Sequence, residues 1–169
     1  MSKKIKLGII GLSKGNGHPY SWSAIINGYD KKLMRKCEFP AIPKYLEKRN
    51  FPKDQIKRAE VTHIWTQSSR ISNKIANATF IKNVVKDYKD LLGKVDGILL
   101  ARDDADLHLK YAKPFLKNGL PIYIDKPLAF TIKEAKKIIS LQKYDGQIFH
   151  TNLGIHHCSS FFSSCMQDQ

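Results

Sequence analysis

The sequence predicts an α/β domain, a doubly wound parallel sheet in a single compact unit. Three observations carry this. Short apolar, Ile- and Val-rich runs recur along the chain, each of strand length. Amphipathic segments of helical length separate them, so consecutive strands need crossovers and lie parallel. The runs end in polar loops, and in parallel sheets ligands gather beyond the carboxyl ends of the strands.

The elements follow in order. Residues 4–11 are a lysine-flanked apolar run closing on Gly11, the first buried strand. Residues 11–17 form a polar glycine-rich loop, and residues 21–28 a short helix with Gly28 as its stop. Residues 30–58 are basic and irregular, broken by Pro40, Pro43 and Pro52, with one or two helical turns around Tyr45. A second strand spans 59–66 and a helix 69–78. A short strand region at 80–85 leads to a helical turn from Tyr88 to Leu92. Residues 95–101 are a further strand, and 105–118 an amphipathic helix with Gly119 as its C-terminal cap. Residues 121–124 are a strand. Thr131 and Glu134 are spaced as a capping box before a helix over 133–142. Residues 147–149 begin a sixth strand.

Composition bounds the function. The 169 residues are 42% hydrophobic, enough for a real core. No run reaches the ~18 apolar residues of a membrane span, and the N-terminus lacks a signal-peptide apolar region, so a cytoplasmic protein is expected. Cys37, Cys158 and Cys165 are too few and unevenly placed for a disulfide framework. The net charge of +14 is dispersed along the chain and is read as a surface favouring anionic small ligands. No nucleic-acid recognition motif accompanies it, and neither nucleic acid nor membrane is an expected partner.

Four segments carry chemistry. The loop Gly11, Leu12, Ser13, Lys14, Gly15, Asn16, Gly17, His18 lies between a strand and a helix. There glycines let the backbone approach a pyrophosphate, and free N–H groups stabilise its charge. Its frame is G-x-S-x-G-x-G, with Ser13 where the usual pattern has its middle glycine, and a purely structural tight turn remains the alternative. At the end of the second strand, Gln67, Ser68, Ser69 and Arg70 replace the acidic residue that would bind ribose hydroxyls. This favours NADP slightly over NAD, against the plain alternative of a helix cap followed by an exposed arginine. Arg102, Asp103 and Asp104 precede a helix that carries His108; the acids suit a helix N-terminus, and His108 suits either a ligand contact or a buried hydrogen-bonded role. Asp125, Lys126 and Pro127 end a buried strand, where a lysine needs a partner or a task.

As a set, in this order and spacing, the four segments resemble the N-terminal domain of the Gfo/Idh/MocA oxidoreductases, over about residues 4–149. His108 takes the family's histidine position, Gly119 its A-G glycine, and Asp125-Lys126-Pro127 its E-K-P with Asp for Glu. The opening run from Gly15 to Trp22 is similar to a branch associated with bacterial surface-sugar metabolism. The resemblance implies a Rossmann-type fold that binds NAD or NADP. It implies cofactor contacts from Gly11, Ser13, Gly15, Asn16, Gly17 and His18, and from Gln67, Ser68 and Arg70. Arg102, Asp103 and Asp104 would lie by the nicotinamide ribose, Asp125 on the cofactor side, and His108 and Pro127 among the cofactor contacts. Lys126 would face the reacting oxygen of a sugar or cyclitol as the catalytic residue, before a cis Lys126–Pro127 bond. The family's common loop has small residues and proline where Arg102, Asp103 and Asp104 stand here.

Family members continue into a second domain that supplies the substrate site and oligomer interface. On this resemblance neither is expected within these 169 residues. No Lys or Arg follows Lys143, and His156, His157, Cys158 and Cys165 lack the paired spacings of a metal site, so no metal is expected. Residues 150–169 are therefore expected to be an aberrant or disordered tail, from a frameshift or early stop. The 1–149 unit is expected to bind dinucleotide with little turnover. The alternative is a free-standing, non-catalytic nucleotide-binding or redox-sensing module.

Overall fold

The computed structural model describes residues 3–150, with the backbone alone described at His150. Six parallel strands form one sheet: β1 Ile5–Ile10, β2 Ala59–Trp65, β3 Asn83–Val84, β4 Gly97–Leu100, β5 Ile122–Ile124 and β6 Ile148–His150. Their order is β3-β2-β1-β4-β5-β6, so the chain reverses direction across the sheet between β1 and β4. That reversal opens a crevice at the carboxyl ends of the two strands, the doubly wound arrangement of a Rossmann fold.

Strand alternation builds a core on each face. Leu7, Ile9 and Leu99 pack on one side with helices α1 His18–Asn27 and α4 Ser69–Thr79. Ile10, Ile98 and Leu100 pack on the other with α5 His108–Lys117 and α6 Ile132–Ile139. Buried Gln147 ties the α5–β5 turn to β6, donating to the carbonyls of Leu116 and Leu120 at 2.9 and 3.0 Å.

The six strands lie where the sequence places them, and the helices differ at their ends. The first helix starts at His18, earlier than expected, because Pro19 sits in its first turn, where a missing N–H costs nothing. The turn at Tyr88–Leu91 is 3₁₀, and residues 105–107 form a 3₁₀ turn before α5. At α6 the Thr131 hydroxyl accepts from the Glu134 N–H at 3.2 Å, but it also donates to the Glu134 carboxylate at 3.0 Å. The glutamate thus meets the threonine side chain where a capping box would have it reach the backbone. Residues 30–58 hold two short helices, α2 Lys31–Met34 and α3 Ala41–Leu46, whose Met34, Ile42 and Leu46 join the core. Among the described residues no helix is long and apolar enough to cross a membrane.

Candidate dinucleotide site

The glycine loop leaves β1 at Gly11 and enters α1 at His18. Each glycine has its own reason. A Cβ at Gly11 would lie 2.3 Å from Pro19 Cγ, so the loop can turn this tightly onto α1 only without one. A Cβ at Gly17 would meet Ile42 Cδ1 at 2.5 Å and Phe39 Cγ at 2.8 Å, so the 30–58 segment packs directly on the loop. Gly15 has φ +81° and nothing within 4 Å of a Cβ, so its face is open.

Residues from three other strand ends hold the loop. From β2, the Gln67 side chain accepts the Leu12 N–H at 3.0 Å and donates back to the Leu12 carbonyl. From β4, Ser13 donates to the Asp103 carboxylate at 2.5 Å and accepts the Asp103 N–H at 3.1 Å. Arg102, 2% exposed, donates to the Leu12 carbonyl at 3.1 Å, forks onto both Asp104 oxygens and lies 4.8 Å over the Tyr111 ring. From β5, buried Asp125 accepts Asn16 Nδ2 at 2.8 Å on the oxygen that also meets His18 Nδ1. The other Asp125 oxygen accepts the Lys126 N–H at 2.8 Å. Burial alone would push the Asp125 carboxyl up; the His18 and Asn16 hydrogen bonds, the His18 charge and the Lys126 N–H outweigh it and hold the carboxyl below the usual aspartate range. His18 stacks on Trp22 at 4.9 Å, and Trp22 meets the Tyr123 ring edge-on.

This bracing leaves the backbone N–H groups of Ser13, Lys14 and Gly15 without a protein acceptor among the described residues. They border a cleft of about 460 Å³, within the range of small-molecule sites. Its walls are the loop, Gln67 and Ser68 after β2, Ile71 of α4, and Glu38 and Phe39 from the 30–58 segment. Open donors, an unfilled Gly15 face and a cleft of this size fit the phosphates and ribose of a dinucleotide.

The sequence-derived residues thus divide. Gly15 and Ser68 line the cleft, and Ser13 and Gln67 line it while their side chains also brace the loop. Gly11, Gly17, Asn16 and Asp125 shape the loop from behind. Arg102 and His108 are buried with their polar atoms engaged: the His108 ring nitrogens face the carbonyls of Arg102 at 2.9 Å and Leu128 at 3.1 Å. Arg70 is exposed on α4, away from the cleft lining. The Lys126–Pro127 bond is cis, as the resemblance implies. Lys126 itself is exposed; the residue buried at that strand end is Asp125, so the desolvation that the sequence assigns to the lysine falls on the aspartate. Glu38 and Phe39 have no signal in the sequence beyond an apolar residue before Pro40. His156, His157, Cys158 and Cys165 lie outside the described residues; within them no group of three or more His, Cys, Asp or Glu could hold a metal.

A family model described as "Oxidoreductase family, NAD-binding Rossmann fold" matches residues 5–153. The chain belongs to the Gfo/Idh/MocA oxidoreductase family. Solved structures agree on the fold. A myo-inositol 2-dehydrogenase from Lactobacillus plantarum superposes with TM-score 0.59 at 14% identity, over 88% of this chain and 36% of that one. Biliverdin reductase from Synechocystis sp. PCC 6803, in complex with biliverdin and NADP+, gives 0.55 at 19% identity, over 86% and 37%. Scyllo-inositol dehydrogenase from Lactobacillus casei, with bound NAD(H) and scyllo-inositol, gives 0.55 at 16%, over 82% and 33%. Among curated relatives, a Staphylococcus aureus protein named Protein map (strain N315) is 34% identical over 105 residues, 57% of this chain and 22% of that protein. The chain therefore spans about a fifth of that relative and about a third of the solved structures.

Proposed function

We propose that this Gfo/Idh/MocA domain binds NAD or NADP along the carboxyl edge of its sheet and presents Lys126 to the reacting oxygen of a sugar- or cyclitol-type substrate. The observation that carries the reading is the loop 13–15, whose N–H groups stay open while the side chains of Gln67, Arg102 and Asp103 brace its start. Those donors hold the pyrophosphate, and the cleft beside them holds the adenosine end. Gln67, Arg102, Asp103, Asn16 and Asp125 act as positioning residues, fixing the donors before the ligand arrives. His108 braces the loop after Lys126 against the one after β4.

A nicotinamide held here would supply the hydride acceptor or donor. Lys126 Nζ would hydrogen-bond the substrate oxygen and stabilise the negative charge that develops on it as its proton passes to solvent water. Lys126 suits this because its backbone N–H donates to Asp125 while its side chain is exposed. Turnover also needs the substrate held against the nicotinamide, worth about 7–11 kcal/mol in ideal cases. The family's second domain would supply that part.

Titration with NADH and NADPH, read by quenching of tryptophan fluorescence, tests the binding step. Saturable quenching by at least one of them is expected. No response to either at millimolar concentration would overturn the reading.

A further inference from the structure

We infer that Glu38 supplies the ribose-reading carboxylate that the end of β2 lacks, and that it biases the cleft toward the dinucleotide with a free 2′-hydroxyl. The inference rests on the dinucleotide reading above. In a sheet of this order an acidic side chain after the second strand accepts hydrogen bonds from the adenosine ribose. Here that strand end carries no acid. Gln67 is engaged on both polar groups of the Leu12 peptide. The Thr66 hydroxyl is engaged on the Ser68 carbonyl and the Ser72 hydroxyl, at 2.8 and 2.9 Å.

Glu38 lines the same cleft as Ser68, Gln67 and Gly15. Its backbone is anchored by the next residue: Phe39 packs on Gly17, lies 6.1 Å from the Tyr20 ring, and accepts from the Cys37 thiol at 3.4 Å. The carboxylate is 65% exposed and meets Lys74 Nζ at 3.5 Å, an exposed pair that a ligand can open at little cost. Ser68 makes no cap hydrogen bond to α4, which leaves its hydroxyl to share the ribose. Arg70, the cation that a 2′-phosphate would want, does not line the cleft. Lys14 does, on the loop side, where it suits the pyrophosphate. A 2′-phosphate seated beside Glu38 in this cleft would face a like charge.

The test compares NADH and NADPH affinities of the 169-residue chain by calorimetry at fixed salt. NADH is expected to bind about tenfold more tightly or better. Glu38→Gln is expected to weaken NADH and strengthen NADPH, moving the ratio about tenfold toward NADPH. Lys74→Met, which leaves the carboxylate unpaired, is expected to keep or sharpen the preference for NADH. Both sites are exposed, and thermal melts check that both variants fold. NADPH binding as tight as NADH in the parent chain, or a ratio unmoved by Glu38→Gln, would overturn the assignment of Glu38 and leave the dinucleotide reading standing. Binding of neither would overturn both.

Discussion

The buried Asp125 carboxylate and the Asn16 side-chain amide meet at 2.8 Å across 109 residues of chain. The contact joins the glycine loop to the end of β5, one residue before Lys126. With Gln67 from β2 and the Arg102–Asp103 pair from β4, it fixes the loop to all the strand ends that flank the crevice. A phosphate site needs its donors aimed before binding, because ordering them afterwards costs affinity.

The first prediction concerns that contact's stability. Asp125→Asn removes a charged acceptor of three hydrogen bonds and sets an amide against the Asn16 amide. Hydrogen bonds to charged groups contribute about 1.5–3 kcal/mol each, partly offset here by relief of burying a charge. A net loss of about 2 kcal/mol, or about 4–8 °C in Tm for a domain of this size, is expected in a thermal melt.

The same carboxylate sets an acid limit. Its folded pKa lies below the ordinary aspartate value, so the unfolded chain takes up the proton first as pH falls. The stabilisation is fully present above the unfolded value of about 3.9 and disappears as pH drops through the folded one. Tm measured from pH 6 down to pH 3 should fall more steeply for the parent than for Asp125→Asn. Parallel curves would show that other carboxylates govern acid unfolding.

Strand positions were legible because the Ile and Leu side chains of runs such as residues 5–10 and 97–100 have no alternative but burial. The glycine loop and the Asp125–Lys126–Pro127 turn were legible as motifs. What the residues there do was less so. Nothing local distinguishes an arginine that reaches solvent from Arg102, folded back onto Asp104 and Tyr111, because that geometry needs the β1 loop beside it. The cleft wall from residues 30–58 was hidden for a similar reason: Phe39 and Ile42 become meaningful only once Gly17 lies beneath them.

Arg102 should not tolerate lysine. Its planar fork takes both Asp104 oxygens and the Leu12 carbonyl while its face covers Tyr111, which a point-charge ammonium cannot reproduce. Arg102→Lys should lose about 2–3 kcal/mol by urea denaturation, at the low side of buried-pair losses because Asp104 is partly exposed.

Gly17→Ala tests the packing of the 30–58 segment. The new methyl overlaps Ile42 Cδ1 and Phe39 Cγ, and overpacking costs about 1–3 kcal/mol. Ile42→Val removes the closest of these atoms, so the double variant should recover at least about 0.5 kcal/mol relative to additivity. Gly15→Ala should lose about 1–2 kcal/mol from its left-handed backbone alone, with no rescue from Ile42→Val.

His108 offers the sharpest separation of brace from ligand contact. Its ring lies wholly inside the domain, between the carbonyl of Arg102 after β4 and that of Leu128 after the Lys126–Pro127 turn. His108→Leu keeps the volume roughly and removes the ring N–H that one of the two carbonyls accepts, worth about 1–3 kcal/mol when left unsatisfied. Equilibrium denaturation should show a loss of about 1–3 kcal/mol, and hydrogen exchange should quicken in residues 128–131, where the loop loses its anchor. His108→Gln, which can still donate to one carbonyl, should fall between the two. Dinucleotide affinity should fall only as far as the loosened loops lower the fraction of chain holding the bound geometry. If His108→Leu kept full stability yet lost affinity more than about tenfold, the imidazole would be touching the ligand, and the bracing role would be wrong.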